Sequence, residues 1–167
     1  MNTAYIGVGS NIEPERYIAR ALALLQQQFG TLQCSSLYRS APLGFDGPPF
    51  INAVIALKTG CGAQSLISKL KNIEQQCDRS LPQDVKGHTL DLDLLLFDSQ
   101  SCYHPDLPRQ DIIKFAFVAM PLAELAPNLL TALDPRSMVD IAAELAARYP
   151  LKREPMPSYW IKQYESC

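Results

Sequence analysis

Two carboxylates stand two residues apart at the start of the apolar run "DLDLLLF", residues 91–97. In an extended chain, positions i and i+2 share a face and lie roughly 6.5–7 Å apart. Asp91 and Asp93 are therefore neighbours on one side of a strand. Anions so placed share a proton, sit in bulk water, or hold a cation between them. Hard divalent ions take carboxylate oxygens and complete their shell with substrate phosphates. A magnesium site is one reading of the pair, and a strand end bearing two solvated acids is the other.

Phosphate chemistry commonly uses a glycine-rich loop, but neither G-x-x-x-x-G-K-[ST] nor a full G-x-G-x-x-G is present. "GVGSN", residues 7–11, supplies only G-x-G, and Gly9 reads as a strand end that needs backbone freedom. Metals and side chains would then have to hold any phosphates. The stretch "PLGFDGPPFIN", residues 42–52, suits a flat heterocycle with an amide edge. Phe50 offers a ring face, Asn52 on the same strand face offers an amide, and the Gly/Pro loop exposes backbone groups. Phe50 is equally suited to plain core packing. His88 and His104, the two histidines, read first as surface or capping residues, and Glu74 flanks the apolar stripe of a helix.

These residues need elements to position them. "TAYIGVGSN" (3–11) reads as a buried strand. Residues 13–29 space Ile18, Ala21, Leu22, Leu25 and Phe29 as one apolar helical stripe, stopped by Gly30. "TLQCSSLYRS" (31–40) and "PFINAVIALKT" (49–59) read as strands on either side of a Gly/Pro loop. Leu66, Leu70, Ile73 and Cys77 mark a second helix from Ala63 to Cys77, and the aspartate strand follows the polar loop 78–88. The order strand, helix, strand, strand, helix, strand predicts an α+β fold, a ferredoxin-like antiparallel sheet with helices packed on it. Residues 115–127 and 137–149 add a C-terminal helical extension, stopped by Pro127 and Pro150 and expected to join the same core.

The chain has 167 residues, 47% of them hydrophobic, enough for a single domain over 1–167 with a full core. A net charge of −2 without a basic stripe speaks against nucleic acid. Five scattered cysteines without C-x-x-C spacing suggest reduced thiols rather than zinc or a disulfide framework. The N-terminal residues lack a signal-peptide pattern, and no apolar run reaches the length of a membrane span, so a cytoplasmic protein acting on small molecules without a membrane is expected. A monomer is expected too.

Taken together and in order, "GSN" at 9–11, "SSLYRSAPLG" at 35–44 with "FINAV", "TLDLDLLLFD" at 89–98 and "FAFVAMPLAELAPNL" at 115–129 resemble 6-hydroxymethyl-7,8-dihydropterin pyrophosphokinase of folate biosynthesis. The resemblance implies transfer of pyrophosphate from ATP to the pterin's hydroxymethyl oxygen, releasing AMP. It implies two Mg²⁺ ions on Asp91 and Asp93 and ATP as co-substrate. By the same resemblance Gly9, Ser40, Ala41, Leu43 and Asn52 wall the pterin, and Phe50 and Phe117 sandwich it. Glu74, Arg79, Lys86, His88, Arg109, Gln110 and Lys114 fall on the ATP side, with Arg79 and His88 joining the aspartates in catalysis. The chain departs from the family's pattern in its basic residues: His88 stands where an Arg is usual, and Phe115 replaces another. Two alternatives therefore stay open, a pterin- or nucleotide-binding paralogue with weak or altered transfer, and a ferredoxin-like interaction module.

Overall fold

The computed structural model describes residues 1–79, 87–98, 106–157 and 159–160. Alternation of small and branched apolar residues builds β1 (Asn2–Ser10), which buries Ala4, Ile6 and Val8 on one face and leaves Tyr5, Gly7 and Gly9 on the other. The amphipathic α1 (Pro14–Phe29) follows, with proline in its first turn, where no intrahelical N–H is needed. Then come β2 (Leu32–Cys34), β3 (Leu37–Ser40), β4 (Phe50–Thr59), α2 (Ala63–Gln76) and β5 (Asp91–Phe97). The order in the sheet is β5-β1-β4-β3, all antiparallel, with β2 also on β4. This is the expected ferredoxin-like arrangement.

The stretch 31–40, expected as one strand, is two. Ser35 interrupts it: its Oγ accepts the Val54 N–H at 2.9 Å while its own N–H donates to the Val54 carbonyl at 3.0 Å. A hydroxyl thus replaces one backbone rung, and β2 and β3 engage successive parts of β4.

The C-terminal region also differs from expectation. It comprises α3 (Asp111–Lys114), α4 (Ala116–Leu125), α5 (Met138–Arg148) and β6 (Lys152–Glu154), a short strand that extends the sheet beyond β3. These helices do not join the core formed by α1 and α2. That core buries Ile18, Leu22, Leu25, Leu66, Leu70 and Ile73 against Ile6, Ile55, Leu92 and Leu94. The opposite sheet face carries a second core, where Val54 and Leu95 meet Ile112, Ala119, Leu122, Ile141 and Leu145. The physical reason lies in β4, whose side chains are buried on both faces from Ile51 to Leu57. A strand apolar on both sides needs cover on both sides. No helix among the described residues is long and apolar enough to cross a membrane.

Candidate active site

The second core does not cover the whole of its sheet face. At the ends of β1, β4 and β5 it leaves a cleft of about 200 Å³, lined by Gly7, Gly9, Asn52, Asp91, Asp93 and Phe117 among others. Strand register explains the convergence. Gly9 pairs with Asn52 of β4 on one side and with Asp91 of β5 on the other, while Gly7 lies between Val54 and Asp93. Neighbouring strands are roughly 4.8 Å apart, so the amide and the acids flank a floor about 10 Å wide that carries no side chain. Gly9 is therefore not the strand end that the sequence suggested. It lies within β1 and has no positive φ. What matters is its size: a Cβ there would lie 3.5 Å from Asn52 Oδ1 and 3.7 Å from Phe50 Cδ1, filling the floor.

On the β4 side the residues expected to wall a heterocycle line the cleft. Asn52 is buried, and its Nδ2 donates to the Tyr38 carbonyl at 3.1 Å and to Ser40 Oγ at 2.8 Å. Both amide hydrogens are used, so only Oδ1 remains to meet a ligand, as an acceptor. Ala41, Leu43 and Phe45 continue the wall. Phe50 packs edge-on against Phe45 with ring centroids 6.3 Å apart, and tilts against His88 at 6.0 Å. Phe117 lines the cleft and stacks on Phe115, at 5.2 Å and 14°. Phe50 and Phe117 thus line one cleft.

On the β5 side, Arg79 Nη1 approaches Asp91 at 3.6 Å and Arg109 Nη1 approaches Asp93 at 3.7 Å. Both gaps are longer than a hydrogen bond. The shorter bonds of these arginines go elsewhere, from Arg79 to the Leu90 carbonyl at 2.8 Å and from Arg109 to Asp111 at 3.1 Å. Burial, with Asp91 beside it, pushes the Asp93 carboxyl above its usual range. An under-neutralised anion pair of this kind is an environment that a divalent cation relieves, so the residues fit the magnesium site. Among the described residues no group of three or more His, Cys, Asp or Glu side chains gathers for a metal. His88 lines the cleft, and burial followed by the Arg79 charge lowers its pKa.

A second cavity of about 260 Å³ shares Asp93 and Asp111 with the first. Ile67, Leu70, Leu94 and Leu107 give it apolar walls, and Lys71, Arg109 and Gln110 give it polar ones. Glu74, expected on the ATP side, is not among its lining residues. It is buried, and its Oε1 accepts the Leu92 N–H at 2.7 Å and the Lys71 ammonium at 3.0 Å. Burial of a carboxylate requires such partners, which turns Glu74 into a fastener between α2 and β5. Lys114 is exposed at the end of α3 and lines neither cavity. Lys86, like His104, lies outside the described residues.

Sequence reasoning missed Lys71, Asp111 and Phe45. Lys71 had a legible signal, one helical turn before Glu74. Asp111 had none, since α3 is a single turn without periodicity.

A ferredoxin-like sheet here carries an acid pair and a buried amide on either side of a glycine floor, in one cleft. Residues 5–127 match the model of the 7,8-dihydro-6-hydroxymethylpterin-pyrophosphokinase (HPPK) family. The chain belongs to that family. It is 40% identical over 134 residues to the 2-amino-4-hydroxy-6-hydroxymethyldihydropteridine pyrophosphokinase of Pseudomonas aeruginosa, covering 75% of this chain and 81% of that one. The enzyme of the same name from Haemophilus influenzae is 35% identical over 136 residues, covering 78% and 85%. Among solved structures, a Plasmodium falciparum HPPK-DHPS chain superposes with a TM-score of 0.73 at 12% identity, over 88% of this chain and 44% of that longer one. This last likeness speaks for the fold.

Proposed function

We propose that residues 1–167 form one pyrophosphokinase domain that moves pyrophosphate from ATP to the hydroxymethyl group of 6-hydroxymethyl-7,8-dihydropterin in folate biosynthesis. The observation that carries this reading is the register that sets Asn52 and the Asp91/Asp93 pair on either side of Gly9, in a cleft that shares Asp93 with a second cavity. The pterin fits the first cavity, between Phe50 and Phe117, with an N–H of its amide edge toward Asn52 Oδ1. The nucleotide fits the second, its base against Leu70, Leu94 and Leu107 and its phosphates toward Asp93. The family's enzymes carry ATP and magnesium, and we assign two Mg²⁺ ions to Asp91 and Asp93. When bound, such ions neutralise phosphate charge and orient the attacking oxygen.

The chain's own residues supply position and charge. Arg79 and Arg109, already beside the acids, reach phosphate oxygens with forked guanidinium donors. The hydroxymethyl oxygen bonds to the β-phosphorus, the bond from that phosphorus to the α,β-bridging oxygen breaks, AMP leaves, and the hydroxyl proton is released. The substrates are small molecules, and we place the reaction in the cytoplasm, carried out by a monomer. AMP release from ATP, measured with and without hydroxymethyldihydropterin, tests the reading; AMP formation that ignores the pterin overturns it.

A second reading, a relative that binds both ligands but transfers weakly, draws on two observations. His88 has a lowered pKa and is a poor cation at neutral pH, and Phe115 spends its ring on Phe117. Tight binding of both ligands without AMP release would favour it.

A further inference from the structure

One rung of the sheet runs through five strands. Arg153 of β6 pairs with Tyr38 of β3, Tyr38 with Asn52 of β4, Asn52 with Gly9 of β1, and Gly9 with Asp91 of β5. Residues directly opposite in antiparallel strands point to the same face, so Tyr38 lies beside Asn52 on the side of the sheet that holds the cleft. Its neighbour Leu37 points the other way, into the α1/α2 core. Tyr38 is 3% exposed, and a hydroxyl on so buried a side chain needs a partner. That partner is Glu124, in the last turn of α4. The Tyr38 hydroxyl donates to Glu124 Oε1, and the Ser36 N–H, just before β3, donates to Oε2 at 2.9 Å. Arg153 Nε stands 3.4 Å from the same Oε1 and donates to Ser36 Oγ at 3.1 Å. The first turn of α4 carries Phe117 and Val118, which line the cleft. On the other side of Tyr38, its carbonyl and Ser40 Oγ accept the two amide hydrogens of Asn52. β3 thus orients the amide, α4 carries the ring, and Glu124 bonds the one to the other.

We propose that Glu124 is a positioning residue for the heterocycle: by tying the last turn of α4 to Tyr38 and Ser36, it fixes the Phe117 ring with respect to the Asn52 amide. The inference rests on the pterin reading above and concerns a residue that lines neither cavity. A flat ligand needs a ring against its face and an acceptor at its edge, and here the two sit on different elements. A misplacement of about 1 Å between such groups is costly. The second cavity draws its lining from α2, β5 and residues 106–111, with none from β3 or α4, so the nucleotide lies outside the reach of Glu124.

The test is calorimetric titration of the full chain with magnesium and α,β-methylene ATP, whose bridging carbon blocks transfer, and then with hydroxymethyldihydropterin in their presence. Glu124→Ala should weaken pterin binding by about tenfold, the factor that one or two ordinary hydrogen bonds carry, and should leave nucleotide affinity within about twofold. Tyr38→Phe removes only the hydroxyl and should weaken the pterin too. The double variant should lose no more than Glu124→Ala alone, because both substitutions break the same bond. Glu124→Gln keeps an acceptor for Tyr38 and should recover part of the loss. A pterin methylated on the ring N–H that faces Asn52 gives a readout that a merely structural role leaves unmoved. The preference for the unmethylated ligand should shrink in Glu124→Ala, because a displaced amide no longer discriminates. Tyr38→Phe decides the matter by the same preference if Glu124→Ala does not fold. Unchanged pterin affinity, an equal loss for both pterins and the nucleotide, or additive losses in the double variant overturns the inference and leaves the proposed function standing. Wild type that does not bind the pterin overturns the functional reading, and the inference falls with it.

Discussion

The backbone N–H of Leu92, the residue between the two aspartates, donates to Oε1 of Glu74 at 2.7 Å. Leu92 itself points into the α1/α2 core, so its neighbours Asp91 and Asp93 point the other way, into the cleft. Glu74 thereby ties the strand that carries the acid pair to α2. Glu74→Ala should leave a buried N–H without a partner, at a cost of about 1–3 kcal/mol. Glu74→Gln keeps an acceptor and should recover most of that loss. Urea unfolding checks the stability, and magnesium titration in the presence of nucleotide checks the site; equal stability of Glu74→Ala and wild type would refute the fastening role.

Asp93 should show opposed effects on activity and stability. Its pKa is raised above 3.8, burial being the largest cause and Asp91 the next. A group with a raised folded pKa stabilises the protein while protonated and withdraws that stability as pH rises through the folded value. At neutral pH the charge therefore opposes folding. Asp93→Asn should have a thermal midpoint equal to or above wild type at pH 7, with the difference shrinking as pH falls through the raised Asp93 pKa and its carboxyl becomes neutral like the amide. Its AMP release should be abolished, as should that of wild type treated with a magnesium chelator. A markedly destabilised Asp93→Asn would contradict this account of the pair.

Asn52 offers the ligand an acceptor, because both its amide hydrogens are held by Tyr38 and Ser40. Asn52→Ala should weaken pterin binding by about 1–3 kcal/mol, the usual cost of an unpaired buried partner. A pterin analogue methylated on the ring N–H that meets Oδ1 should bind wild type with a similar penalty and should discriminate little against Asn52→Ala. Calorimetry with the two ligands and the two proteins closes the cycle.

His88 sets the pH dependence. Its pKa is lowered from 6.5 by burial first and by Arg79 second, so the neutral imidazole dominates at neutral pH. Turnover that draws on the imidazolium should therefore rise only as pH falls below about 6.5. Stability runs the other way, because the fold disfavours the proton and loses stability as pH falls through the same window. His88→Arg carries a permanent charge and should raise turnover at pH 7–8 and flatten the profile; restoring one phosphate donor is commonly worth about 10²–10³-fold. Rates of both proteins between pH 5.5 and 9 decide it, and identical profiles would mark His88 as a bystander.

The local periodicities were legible in the chain. The stripe Ile18, Leu22, Leu25 and the stripe Leu66, Leu70, Ile73 each repeat at helical spacing, and both helices lie where that spacing puts them. The i, i+2 rule likewise set Asp91 and Asp93 on one face before any partner strand was known. What the chain could not reveal depends on register between distant strands. Gly9 reads as a flexible terminus until β1 is placed between Asn52 and Asp91, when its lack of a side chain becomes the floor of the cleft. Glu74 reads as a solvated helix flank until β5 brings a buried N–H within 2.7 Å of it. The second core was hidden because an apolar run reports that a strand is covered, not by which elements. Asn11 and His88 are 77 residues apart, and no local pattern encodes a hydrogen bond over that distance. Side-chain periodicity is set by backbone geometry within one element, so the sequence carries it directly; partners across the sheet are chosen by the packing of the whole chain, and only the tertiary structure decides them.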